Sequence, residues 1–140
     1  MSQALPKSPK SKSKKRSREQ NEDSFAFAHC IRAKGFLWLA TRNDTFTLFH
    51  LAGGSVKMTK GSPWWVCKDK NSWPLQDLVF KREVVDKMDS VYGDRGQTLV
   101  VIGIHLDSKR CWEELDRCLL TSEEMEQGPK SWLENFEDPF

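Results

Sequence analysis

No Cys-x-x-Cys pair, no glycine-rich phosphate loop closed by Lys-Ser/Thr and no apolar run of membrane-spanning length occur in this 140-residue chain. Its four cysteines, Cys30, Cys67, Cys111 and Cys118, stand far apart, which removes the zinc-finger and thioredoxin patterns. The chain opens on Lys, Ser and Pro instead of an apolar segment, which predicts a reducing, cytoplasmic setting. The longest apolar stretch, around Leu99 to Ile104, is far below the roughly twenty residues a bilayer requires, so no membrane partner is expected. The three histidines, His29, His50 and His105, are scattered, and none sits in a nucleophile elbow or an HExxH setting. Gly53-Gly54 and Gly93/Gly96 lack the lysine and the helix that make a phosphate cradle. Nucleotide hydrolysis by this chain alone is thereby excluded, and no cofactor is expected.

Charge is unevenly placed. Residues 1–20 hold seven Lys/Arg against one Glu, whereas the remainder holds fifteen against nineteen, so the body is acidic and offers no basic face for sequence-specific nucleic-acid reading. Residues 1–23 have only Met1, Ala4 and Leu5 as apolar residues and are expected to be a disordered basic tail, because ordering them would bury nothing. The cluster Lys14, Lys15, Arg16 and Arg18 suits an acidic importin groove, and hence nuclear entry, as well as it suits a solubilising tail.

With 38% apolar residues, eight Phe and six Trp, residues 24–140 can fold as one domain without a metal or disulfide. Phe36 to Ala40 is apolar on both pleat faces and predicts a central strand; Asn43-Asp44 is a turn, and Thr45 to Leu51 is a second strand. Gly53-Gly54 reverses the chain into a third strand, expected to be interrupted at Gly61-Ser62-Pro63. Trp64-Trp65 is expected to cap the core. Leu75 to Met88 is partly helical, and Tyr92 to Gln97 is a turn into a strand, "TLVVIGIHL", read as buried. Asp107 offers an N-cap for a helix whose apolar face, Cys111, Trp112, Leu115, Cys118 and Leu119, is expected to lie on the sheet. Thr121 to Glu124 has capping-box spacing for a short last helix stopped by Gly128-Pro129, with an irregular tail beyond. The fold class is α+β: an antiparallel sheet with helices mainly on one face.

Three segments, "RAKGFLWLATR" at 32–42, "AGGSVKMTKGSPWW" at 52–65 and "YGDRGQTLVVIGIHLD" at 92–107, resemble the C-terminal domain of the CobW-type P-loop GTPase metallochaperones. That family includes the cobalamin synthesis protein CobW and zinc-regulated GTPase activators. "ELDRCLLTSEEM" at 114–125 and the closing Asp138-Pro139-Phe140 are similar to the family's pattern too. The signature positions on this chain are Lys34, Gly35, Trp38, Gly53, Gly54, Pro63, Trp64, Trp65, Gly93, Asp94, Arg95 and Gln97. The resemblance implies a non-catalytic module for protein interaction or client recognition in zinc or cobalt homeostasis, with a CobW-type GTPase or a metalloprotein client as partner. It assigns no catalytic, cofactor or metal residue. Two alternatives stay open: a fragment of a full-length GTP-hydrolysing metallochaperone, since the family's upstream GTPase domain is absent here, and a small metal-binding protein using residues such as His50 and Cys67. The usual first strand and helix of the family domain are also expected to be lacking before "KGFLWLA". An open sheet edge is therefore expected to self-associate, or to be filled by residues 24–31, in which Phe25, Phe27 and His29 alternate with Ala26, Ala28 and Cys30.

Overall fold

A computed structural model describes residues 25–140. The tail, with Lys14, Lys15, Arg16 and Arg18, lies outside the described residues. The chain divides into two compact units, one of residues 31–102 with 120–140 and one that includes residues 25–30 with 103–119.

Four strands, β1 (Cys30–Leu37), β2 (Thr45–Ala52), β3 (Ser55–Pro63) and β4 (Thr98–Gly103), form one antiparallel sheet in the order β3-β2-β1-β4. With the helices α1 (Leu78–Phe80, prolonged by a π-helical turn over Lys81–Val85), α2 (Ser108–Asp116) and α3 (Ser122–Asn135), the fold is α+β. β2 and β3 are joined by Gly53 and Gly54, both at positive φ (56° and 78°), as a two-residue hairpin turn requires. Gly61-Ser62 does not interrupt β3, contrary to expectation. Thr45 faces Pro63 and Thr47 faces Lys60, so the extra residue is taken up as a bulge. Gly61 belongs there because a side chain would overlap the Phe46 ring. Gly35 lets β1 approach β4 in the same way: a Cβ would collide with the Thr98 carbonyl.

One face of the sheet is covered. Ala33 and Thr47 are buried there, and Leu37, Phe49 and Leu51 are half-buried. The other face is open, so β4 is not the buried strand its apolar run suggests. Leu99 and Val101 are half-buried, while Val100 is 52% exposed and Ile102 54% exposed.

The largest fully buried side chain of the larger unit is Trp132, 1% exposed, in a segment expected to be an irregular tail. The capping box forms as expected: Thr121 Oγ1 accepts from the Glu124 amide, and the Glu124 carboxylate accepts from the Thr121 amide. Gly128 then breaks the helix (φ 83°, ψ 171°), but Pro129, whose missing N–H costs nothing at a first helical position, restarts it to Asn135. The second turn brings Trp132 edge-on to Trp38, with ring centres 6.0 Å apart. The closing residues are fastened as well. Arg42 donates to both Asp138 oxygens (3.1 and 2.8 Å) and stacks over Phe140, and this guanidinium holds the Asp138 carboxyl below its usual range.

In the smaller unit Asp107 caps α2 by accepting from the Arg110 amide, as expected. Residues 25–29 do not form the substitute strand. Turn bonds from the Ala28 amide to the Phe25 carbonyl and from the Cys30 amide to the Phe27 carbonyl use the groups that a strand would present. The apolar face of α2 is not laid down as a whole: Cys111 is buried, but Trp112 is 69% exposed and Cys118 and Leu119 are exposed.

Candidate functional site

The Tyr92–Gln97 turn gathers several of the residues expected to carry the family signature. Gly93 has φ 70° and lies against the Val66 side chain, which leaves no room for a Cβ. The next residue, Asp94, therefore points its carboxylate at the 3-10 turn Trp65–Cys67, accepting from the Trp65 and Val66 amides, each at 2.9 Å. Bonds to a charged acceptor contribute roughly 1.5–3 kcal/mol each. Arg95 makes one bond from each guanidinium nitrogen: Nε donates to the Asn43 carbonyl (2.7 Å), Nη1 to the Tyr92 carbonyl (3.2 Å) and Nη2 to Cys67 Sγ (3.0 Å). Gln97 closes the turn. Its side-chain oxygen accepts from the Trp38 amide (3.0 Å) and its amide donates to the Trp38 carbonyl (2.7 Å), acting as one more rung of a sheet ladder. Trp38 is fixed further by its indole N–H on Asn43 Oδ1 and by the Tyr92 ring, 5.2 Å away.

Beside this knot lies an open cleft of about 600 Å³. Its wall is an aromatic chain in which Phe36 meets Phe46 (5.1 Å) and Phe46 meets Trp64 (5.6 Å), both edge to face. Trp64 is buried, as expected for a core cap, and its indole N–H has no acceptor. Lys68 lies over the Trp65 ring at 4.0 Å, and the rim carries the Glu83–Lys87 ion pair. Lys68, Glu83 and Lys87 escape sequence reasoning because nothing in their local pattern marks a cleft wall.

The remaining expected positions are dispersed, except Pro63, which lines the cleft. Lys34 stands on the open sheet face, Gly35 at the β1–β4 contact, Gly53 and Gly54 at the hairpin tip, and Pro63 at the end of β3.

The candidate metal ligands are not brought together. Among the described residues no three His, Cys, Asp or Glu side chains are placed to hold one ion. Cys67 Sγ accepts from Arg95, and Cys111 donates to the Ala26 carbonyl (3.3 Å). Burial pushes the Cys111 thiol above its usual range, and the Asp107 carboxylate adds to this. Since the thiolate is the reactive form, Cys111 should react with a disulfide reagent at pH 8 about tenfold or more slowly than the exposed Cys67 and Cys118. Mass spectrometry of the labelled chain checks this, and equal labelling of Cys111 and Cys118 contradicts it.

Residues 14–119, which include this turn and the strands around it, match the cobalamin synthesis protein cobW C-terminal domain. The chain belongs to the CobW C-terminal domain family. The match is to that domain and not to the GTPase domain. The chain is 31% identical over 110 residues to zinc-regulated GTPase metalloprotein activator 1 of Dictyostelium discoideum, covering 78% of this chain and 23% of that protein. It is 29% identical over 112 residues to a zinc chaperone of Mycobacterium tuberculosis, covering 79% of this chain and 27% of that protein. It thus spans about a quarter of the length of these curated relatives. No solved structure matches the chain. Among the described residues of this CobW domain, no helix is long and apolar enough to cross a membrane.

Proposed function

We propose that this CobW domain is a non-catalytic binding module of zinc or cobalt homeostasis, recognising a CobW-type GTPase or its metalloprotein client. The observation that carries the proposal is the fate of the signature side chains. Asp94, Arg95 and Gln97, which in isolation resemble the polar set of a reactive site, are engaged in bonds to the backbone and to Cys67. They fasten a surface instead of presenting a base or nucleophile to a substrate. Relatives named as a zinc-regulated GTPase activator and a zinc chaperone support the link to metal handling. The quarter-length coverage favours a second reading, in which the same surface serves a longer GTPase from within one chain.

Biolayer interferometry tests the module. The GTPase portion of the Dictyostelium relative should bind the immobilised chain in the micromolar range, roughly −8 kcal/mol. The chain alone should release no phosphate from GTP above the protein-free control. Lack of binding both to that GTPase portion and to zinc metalloproteins, or hydrolysis by the chain, would refute the proposal.

A further inference from the structure

We propose that the open face of the sheet is a docking platform for an acidic amphipathic helix of a partner protein. This rests on the binding-module reading and names the chemistry of the partner.

The register of the strands sets out two neighbouring rows on this face. In one, Lys34 stands opposite His50, and His50 opposite Lys57, so that three strands present a Lys-His-Lys line. In the next, two residues along each strand, Phe36 stands opposite Leu48 and Leu48 opposite Thr59. Val100 and Ile102 of β4 extend the apolar part; Thr98, their neighbour in the strand alternation, shares the cleft with Phe36 and so places them on this face. All four apolar side chains are among the exposed large hydrophobic residues. Strands lie about 4.8 Å apart, so the patch is roughly as wide as a helix with its side chains, about 10 Å.

The charge of the face selects the occupant. The four strands contain no Asp or Glu, although the body of the chain is acidic. Lys34 and Lys57 flank His50 on this face, and the strands hold no acid to neutralise the two lysines. Carboxylates along one side of a helix whose apolar side covers Leu48, Val100 and Ile102 would supply the missing charge. The chain's own first twenty residues are the wrong occupant, because they carry seven Lys/Arg and one Glu. A second copy of the face would set one basic line against another. Single-stranded nucleic acid would need bases to stack on aromatic rings, whereas Leu48, Val100 and Ile102 are aliphatic and Phe36 is packed against Phe46.

The test uses the full chain and two synthetic helical peptides: one with Leu on one side and Glu on the other, and a twin with Lys in place of each Glu. Fluorescence anisotropy at physiological salt measures affinity, and amide NMR shifts locate the site. The acidic peptide should shift the amides around Lys34, Leu48, His50 and Ile102 and bind about tenfold or more tightly than the twin. Lys34→Glu with Lys57→Glu should invert that preference, and Val100→Ser with Ile102→Ser should weaken the acidic peptide by about tenfold. Replacing Lys14, Lys15, Arg16 and Arg18 by Ala should leave the shifts on the sheet unchanged. Equal binding of the two peptides overturns the proposal. So do shifts confined to the Trp65 cleft or to Trp112, or tighter occupation of the same amides by oligouridine or phosphatidylserine vesicles. If the charge-reversed variant binds the GTPase portion of the Dictyostelium relative as the parent does, the sheet face is not the docking platform and the binding-module reading stands. If that portion and zinc metalloproteins bind neither protein while the peptide preference still inverts, the module reading fails and the acid-binding face remains.

Discussion

Trp132→Ala should lower the unfolding free energy by about 3–5 kcal/mol, the range for a large aromatic deleted from a core. The ring is 1% exposed and packs on Trp38, so the deletion opens a cavity under the central aromatic of the larger unit. It also removes a hydrogen bond, since the Trp132 indole N–H donates to the Glu124 carbonyl at 2.6 Å. Trp132→Phe keeps most of the ring volume and should lose only about 1–2 kcal/mol, mainly that bond. Urea unfolding followed by circular dichroism gives both values. A Trp132→Ala chain within about 1 kcal/mol of the parent would show that the second helical turn is not part of the core.

Gly93→Ala has the second-largest expected effect, about 2–5 kcal/mol, and it separates two causes. The backbone there has φ 70°, which costs a residue with a Cβ about 1–2 kcal/mol, and the Cβ would overlap the Val66 side chain, adding an overpacking cost of about 1–3 kcal/mol. Gly54 provides the comparison. It has φ 78° with nothing within 4 Å of a Cβ, so Gly54→Ala should show the backbone cost alone. Combining Gly93→Ala with Val66→Ala should remove most of the steric part, giving a coupling of roughly 1–2 kcal/mol in a double-mutant cycle. Additivity of the two substitutions would mean that Val66 does not confine Gly93.

The hairpin through Gly53-Gly54, the Asp107 cap and the Thr121 capping box are legible in the sequence because each depends on a few neighbouring residues. Which apolar residues are covered is not legible in that way. Val100 and Ile102 read like core because periodicity marks the faces of a strand without saying what lies above them, and Trp112 misleads for the same reason on a helix. Trp132 errs in the opposite direction: the turn from Pro129 to Asn135 is too short for an apolar period to declare itself. The bonds of the signature residues were hidden by distance. Gln97 and Trp38 are 59 positions apart, Arg95 and Asn43 are 52 apart, and side-chain bonds to a remote backbone leave no local pattern. The Lys-His-Lys line was hidden as well, because Lys34, His50 and Lys57 become neighbours only through strand register.

The excursion from Trp64 to Gln97 is tied down at its two ends, through Asp94 to the Trp65 and Val66 amides, Arg95 to Asn43 and Gln97 to Trp38, while residues 75–79 between them are exposed. A segment riveted in this way behaves as a cassette. A protease that nicked it near the middle would leave both pieces in place, and insertions there would lengthen the overhang without loosening the sheet. A chain that keeps the rivets can therefore exchange the span between them and present a different surface on the same mount.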